Sequence, residues 1–347
     1  MMTPMNSEAM AFWAPRTAAI VAIAALLSAL LIVTLRPLLA RYTLARPNAR
    51  SSHIVPTPQG GGIAIVAATI AVSCGAFFLW PVSAANITSP AVLIAAVVLI
   101  AAVGIMADIH PITVAPRLLL QALAVTAVIY TLPVELRVLP ILPWWIERIL
   151  LVVGGLWFVN LVNFMDGLDW MTVAEVVPIT AALAAIGFSG ILPPQAIVVS
   201  LALCGAVIGF AFFNRPVAKL FLGDVGSLPI GLLLGWLLVL VAGSGGHAAA
   251  ILLPLYYLAD STITLARRFI SGEPVWQAHR SHFYQRATDR GFRVIEVVAR
   301  VFFVNLMLAA LALATVLKPS RELDIAALGV GAVLVAWLLM GFTRGRR

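Results

Sequence analysis

Eleven apolar runs, each about the 17–25 residues that a helix needs to cross a bilayer, fill most of this chain and leave little to build a water-soluble core. They fall near 16–38, 61–80, 90–106, 117–133, 147–164, 172–190, 195–213, 228–243, 247–265, 299–317 and 323–342. Hydrophobic residues make up 62% and charged residues 10%, against roughly 45–50% and about 25% in a soluble domain. The expected fold is an all-α polytopic membrane protein with about 10–11 transmembrane helices, one domain over 1–347, with 299–342 supplying the last two spans. The longest hydrophilic stretch, 267–296, is too short for a soluble domain of ordinary size.

Lysine and arginine mark the cytoplasmic side of short loops. With the N-terminus placed outside, inner segments hold 17 of the 22 Lys and Arg, and the C-terminus is cytoplasmic. The same loops explain the net charge of +8 and serve as topology signals or anchors for anionic lipid. A long polar leader and the following Arg41, Arg46 and Arg50 make the first run a retained anchor rather than a cleaved signal. Cys74 and Cys204 fall inside predicted helices and form neither a disulfide framework nor a zinc site. Outer connections are short and nearly uncharged, whereas the inner ones, 40–62, 107–117, 160–170, 214–227 and 267–296, collect the polar residues. A single site on the cytoplasmic face follows.

The chain has only 14 Asp and Glu, and carboxylates at the ends of membrane helices are costly unless something binds them. In Asn160-Leu161-Val162-Asn163-Phe164-Met165-Asp166-Gly167-Leu168-Asp169, helical spacing stacks Asn160, Asn163 and Asp166 on one face. Gly167 permits a turn or a close ligand, and Asp169 closes a polar pocket; a self-capping helix end is the plainer alternative. In Phe221-Leu222-Gly223-Asp224-Val225-Gly226-Ser227, preceded by Asn214, one acid lies between two glycines. Mg²⁺ is usually held by one or two carboxylates with phosphate oxygens and water, and glycine-flanked amides can cradle phosphate. Asp224 is therefore the candidate metal ligand, the alternative being a pair with Arg215 or Lys219.

His279, Arg280 and His282 cluster in the long inner loop, where they can donate to a pyrophosphate and its developing charge; a solvated basic loop has the same composition. The stretch 46–62, with His53 and Thr57-Pro58-Gln59-Gly60-Gly61-Gly62, is a basic, rigid loop suited to an anionic headgroup or to anchoring. Asp108 and Asp260 complete the acids near this face, Asp260 with Arg267 and Arg268 as plain partners.

In this order and on these spans, the motifs resemble those of the polyprenyl-phosphate N-acetylhexosamine-1-phosphate transferases of glycosyltransferase family 4, which include phospho-N-acetylmuramoyl-pentapeptide transferase. The resemblance covers residues 36–290. Residues 163–169 look like the family's Asn-Phe-x-Asp-Gly-x-Asp motif, 223–227 like Gly-Asp-x-Gly-Ser, and 57–62 like Thr-Pro-x-x-Gly-Gly. Arg117 and Gln121 resemble the basic residue and glutamine that follow paired aspartates. Residues 278–285 look most like the branch that starts O-antigen and related surface glycans. One departure stands out, since Ala107 precedes Asp108 where the family has two adjacent aspartates.

The resemblance implies transfer of a sugar 1-phosphate from a UDP-N-acetylhexosamine to undecaprenyl phosphate in a bacterial inner membrane, giving a polyprenyl diphosphate sugar and UMP and initiating a cell-envelope glycan. It implies Mg²⁺, with Mn²⁺ as a permissible substitute, at Asp224, and Asn163, Asp166, Asp169 and Asn214 on the substrate. His279, Arg280 and His282 would clamp phosphate, Arg117 and His53 would meet the lipid phosphate, and Asp108 would orient or deprotonate it. A covalent phospho-aspartate is the competing mechanism. Lipid bilayer is expected as a partner and nucleic acid is not; a homodimer is left open. The rival readings are a catalytically impaired relative that binds lipid or nucleotide, which Ala107 suggests, and a transporter, since intramembrane acids also mark ion pathways.

Overall fold

A computed structural model of the chain describes residues 7–45, 56–80, 89–110, 112–274 and 279–344; His53 lies outside them. The fold is all-α and polytopic. Eight helices come first: α1 (Ser7–Tyr42), α2 (Gly62–Leu79), α3 (Pro90–Ile109), α4 (Val114–Tyr130), α5 (Trp144–Met165), α6 (Met171–Phe188), α7 (Pro194–Ala211) and α8 (Asp224–Gly243). Two short helices, α9 (His247–Leu252) and α10 (Leu255–Ile270), precede α11 (Phe283–Asp289), α12 (Val294–Leu317) and α13 (Arg321–Arg344). Among the described residues, nine helices are long and apolar enough to cross a membrane, and α4 is a shorter apolar helix. The strands are two-residue pieces, β1 (Leu44–Ala45) and β2 (Thr57–Pro58), paired antiparallel.

The run at 247–265 does not form the single helix predicted for it. Pro254 has no N–H to continue the ladder and its ring crowds the preceding turn, so the segment breaks into α9 and the amphipathic α10. Asp260, Ser261 and Thr264 face the protein from α10, while Phe269 and Ile270 remain exposed. The hydrophilic stretch after it contains α11, which apolar patterning does not announce.

Successive traverses run antiparallel. Arg117 of α4 meets Asp224 of α8 at one end of the bundle, and His247 of α9 meets the Val138 carbonyl at the other. Every described polar motif gathers at the first end. At the opposite end a buried charge pair is self-contained. The Glu147 carboxylate accepts from Arg137 and from the amides of Val138 and Leu139, while Arg148 donates to the carbonyls of Ile129, Pro133 and Leu136. Both charges thus fasten the connection between α4 and α5, as ionised groups at membrane depth require.

α8 is the axis of the bundle, with 89% of its apolar stretch buried against 22% for α1. α1 packs along α7 through Gly205 and Gly209, the small-xxx-small spacing that lets membrane helices approach closely. A Cβ on these glycines would lie 2.3 Å from the Val21 carbonyl oxygen and 2.2 Å from that of Ala25. Gly209→Val is therefore expected to cost about 1–3 kcal/mol by overpacking and to lower the melting temperature in detergent by several degrees. An unchanged melting curve would show that this seam is loose.

Candidate active site at one end of the bundle

The site is organised around the first turn of α8, whose backbone N–H groups have no partner within the helix. Asp108, at the end of α3, accepts the amides of Asp224 at 2.9 Å and Val225 at 3.2 Å, and the Gln59 side chain donates to it as well. Three features of sequence make this possible. Gly223 takes φ +79°, and a Cβ there would stand 2.5 Å from the Asp108 carboxylate. Gly104 lets α3 approach the α8 backbone, where a Cβ would lie 2.4 Å from the Val225 nitrogen. The glycine-rich loop zips onto the same entry, with Gly60 and Gly61 donating to the Phe221 carbonyl and Gly62 to that of Leu222.

Asp224 itself turns into a cleft. Its carboxylate pairs with Arg117 at 2.8 Å and accepts the Asn163 amide at 2.7 Å. Asn163 also donates to the Ser227 hydroxyl at 2.8 Å, and its carbonyl oxygen accepts from Arg117 at 3.0 Å. One cation, the Arg117 guanidinium, thus sits against two oxygens from α5 and α8. Beside it, Asp166 ends α5 and accepts the Thr172 hydroxyl. Burial pushes its carboxyl up to about 7 against the pull of that hydrogen bond, and the charges of Asp224, Asp108 and Asp169 add to the rise.

The cleft has a volume of about 970 Å³. Arg117, Asn160, Asn163, Asp166, Asp224, His279, His282 and Gln285 supply its polar wall, while Leu118, Val153, Leu156, Trp157, Leu265 and Phe269 make the rest apolar. His279 is held neutral: burial, then the neighbouring His282 and Arg268, bring it down to about 4. Its Nδ1 lies 2.8 Å from the Ser281 hydroxyl, and its ring stacks on His282 at 4.9 Å.

Several residues expected at the site do other work. Both oxygens of Asp108 are committed to α8, and this residue does not line the cleft. Asp169, 3% exposed, accepts the Ala218 amide at 2.9 Å. Asn214 accepts the Trp170 amide and donates to the Leu220 carbonyl. Together they tie the α5–α6 turn to the loop before α8, behind the cleft wall, because that turn carries Trp170 at φ 63° and its amides need side-chain partners. Arg280 pairs with Asp289 at 3.0 Å and points along α11, away from the cleft lining. The residue to which the sequence assigned only a plain ion-pairing role is Asp260. Rather than pairing with Arg267 or Arg268, it is fully buried and accepts from His282 at 3.1 Å.

Among the described residues no three His, Cys, Asp or Glu side chains cluster as a metal site by themselves. The donors at Asp224 nonetheless suit a hard cation. Its carboxylate and the Asn163 carbonyl are oxygens already bridged by a positive group, and Mg²⁺ takes its remaining ligands from phosphate and water.

Comparison with known proteins points the same way. The glycosyl transferase family 4 model matches residues 90–242, which carry Asp108, Arg117, both acidic motifs and α8. The chain is 25% identical over 308 residues to a probable undecaprenyl-phosphate N-acetylglucosaminyl 1-phosphate transferase of Bacillus subtilis, covering 82% of this chain and 84% of that protein. It is 28% identical over 335 residues to a decaprenyl-phosphate N-acetylglucosaminephosphotransferase of Mycobacterium tuberculosis, covering 84% and 80%. A protein of the same description from Mycobacterium leprae is 28% identical, covering 75% and 73%.

The raised Asp166 carboxyl has a sign that can be measured. A folded value near 7 against 3.8 for the free group means that the folded protein holds an extra proton between them. That contribution to stability is present at low pH and lost as pH rises through about 7. In ligand-free protein, Asp166→Asn should gain in melting temperature relative to wild type between pH 6 and pH 8.5; a gap independent of pH would contradict the assignment.

Proposed function

Because the chain belongs to the polyprenyl-phosphate N-acetylhexosamine-1-phosphate transferases of glycosyl transferase family 4, we propose that it transfers an N-acetylhexosamine 1-phosphate from a UDP-sugar to undecaprenyl phosphate and releases UMP. The observation that carries this reading is one cleft with two chemistries. A knot of carboxylate, amide and guanidinium lies at its polar wall, and a continuous apolar wall rises from α4, α5 and α10. A phosphate on an isoprenoid chain has both halves, and the bundle offers both to one molecule entering from lipid.

Phosphoryl transfer depends mainly on positioning and charge stabilisation. Asp224 and Asp166 would repel a pyrophosphate, so the reading includes Mg²⁺, or Mn²⁺, held at Asp224 with the Asn163 carbonyl beside it. When bound, such an ion offsets the negative charge of the pyrophosphate and of the departing UMP. Asn163 keeps the Asp224 carboxylate aimed at the cleft through its 2.7 Å hydrogen bond. Arg117, paired with Asp224 in the ligand-free protein, would be placed to meet the phosphate of the lipid. Neutral His279 accepts the Ser281 amide at Nδ1, so Nε2 can donate to a phosphate oxygen without adding charge. The apolar wall takes the first isoprene units and keeps water from the attacking oxygen.

With the N-terminus outside, inner segments hold 17 of the 22 Lys and Arg, which supports a cleft on the cytoplasmic face of a bacterial inner membrane. The resemblance of residues 278–285 supports a place at the start of a surface glycan.

Purified protein with undecaprenyl phosphate, Mg²⁺ and UDP-N-acetylglucosamine should release UMP, and omission of lipid or addition of EDTA should stop it. Asp224→Asn is expected to lower the rate on the order of 100–1000-fold with melting within a few degrees of wild type. Full activity in that variant would sink the assignment. No UMP from wild type but release by Ala107→Asp would identify an impaired family member.

A further inference from the structure

Asp260 is an acid on α10 that neither the metal nor the phosphate reading uses. It is fully buried, and its carboxylate is surrounded by donors. Oδ1 accepts His282 Nδ1 at 3.1 Å, the Phe283 amide at 3.0 Å and the Thr264 hydroxyl at 3.3 Å. Oδ2 accepts the Tyr284 amide and the Tyr256 hydroxyl, both at 3.3 Å. The two amides belong to the first turn of α11, so the carboxylate fixes that turn and the histidine that precedes it together.

The consequence is chemical. A carboxylate can only accept, so Nδ1 of His282 carries the proton, and Nε2 is the nitrogen left for the cleft that His282 lines. Stacking on His279 at 4.9 Å and on Tyr284 at 5.7 Å holds the ring plane. His279 is kept neutral and its Nδ1 accepts the Ser281 amide at 3.4 Å, so it presents a donor at Nε2 where His282 presents a lone pair. Of the other acids at this end, Asp108 has both oxygens on α8 amides, and Asp166 already accepts the Thr172 hydroxyl. Two adjacent imidazoles, one a donor and one an acceptor, follow from their different Nδ1 partners.

We propose that Asp260 is a positioning residue that fixes His282 as the Nδ1–H tautomer, and that Nε2 of His282 is the proton acceptor for the lipid phosphate. The proposal rests on the transferase reading for its substrate. In the step, the hydroxyl oxygen of the phosphomonoester monoanion bonds to the phosphorus that carries the sugar. The bond from that phosphorus to the bridging oxygen breaks, and UMP leaves with the electron pair. The proton of the attacking hydroxyl passes to Nε2, and the imidazolium so formed faces the Asp260 charge. The same logic in a buried Asp–His pair is lost when the acid becomes an amide, because Asn favours the wrong tautomer.

Titratable and charged groups around the pair are His279, Arg280 and Tyr284 beside it, Tyr256 and Arg268 on α10, and Asp166 at the end of α5. A pH profile must therefore be read with a direct measure of the tautomer. With five histidines in the chain, ¹⁵N-histidine spectra of the whole protein in lipid nanodiscs, assigned with His282→Gln, can supply it. The expected wild-type signal is neutral His282 with Nδ1 protonated and Nε2 bare, moving to Nε2–H in Asp260→Asn. Wild-type His282 with Nε2 protonated would overturn the proposal, whatever the variants do.

In the UMP assay, Asp260→Asn and His282→Gln should each lower kcat on the order of 100- to 10,000-fold. KM for the UDP-sugar should stay within a few-fold, the acidic limb of the kcat profile should vanish, and the double variant should be no slower than either. Asp260→Asn with wild-type kcat and acidic limb would overturn the role. Should Asp260→Asn not fold, His282→Gln leaves the α11 amides on Asp260, and retention of the acidic limb in that variant decides against it. No UMP from wild type with any donor would overturn the transferase reading instead, leaving the tautomer to be judged from the spectrum.

Discussion

The site depends on where the N-terminal amides of α8 find their acceptors. That helix is the most buried span among those described, and an unpaired N–H at its buried start is costly. Asp108 takes the amides of Asp224 and Val225, with a negative charge at the positive end of the helix. Once this contact is made, α3 must lie against α8 at Gly104, and α2 at Gly62 and Gly226, where a Cβ on Gly62 would stand 2.1 Å from the Gly226 Cα. Asp224 is then directed to the cleft by the same turn whose amides Asp108 holds. A helix start, two helix crossings and the aim of one carboxylate share a single cause.

The acids of this end divide by what their oxygens meet. Asp108, Asp169 and Asp260 each accept backbone amides and set the position of α8, the loop before it and α11. Asp224 and Asp166 line the cleft. A buried carboxylate that accepts several amides works as a fixed joint, since breaking it leaves both partners unsatisfied. A cleft carboxylate is exposed to exchange of partners, which is what binding a cation or a phosphate requires. The motif Asn163–Asp169 therefore mixes a working end and a structural end within seven residues, with Gly167 between them packed against the Tyr284 hydroxyl.

Apolar runs and arginine positions made ten of the eleven traverses and the clustering of polar motifs at one end legible in the sequence, because membrane depth allows few alternatives to a helix. Pro254 was visible as a residue but lay inside a run whose apolar character continued past it. What could not be read was which acids point inward. Asp169 and Asp224 carry equal charge in glycine-containing motifs, and their fates differ through a long-range partner, the Ala218 amide in one case and Arg117 in the other. Asp260 was hidden for the same reason, lying 22 residues before His282 on a helix that only the break at Pro254 brings alongside it. The one local signal was its place on a polar stripe with Ser261 and Thr264, which marks an inward face of α10. Arg280 was misplaced because sequence proximity to two histidines outweighed Asp289, nine residues on, which takes its charge.

Arg117 shows how the cleft can be both stable and reactive. At 2.8 Å from Asp224 and 3.0 Å from Asn163, its guanidinium compensates the carboxylate in the ligand-free protein. Yet Arg117 and Asp224 are each 23% exposed, so their attraction is partly screened and exchangeable, unlike the buried Glu147 and Asp260 joints. On the proposed reaction, the Asp224 and Asn163 oxygens would hold a dication in place of the guanidinium, which would then be available to the lipid phosphate. Negative charge then enters together with the charge that balances it, and the positive group displaced is already inside the cleft. An arginine suits this exchange better than a lysine, since its planar fork serves two oxygens in either partnership.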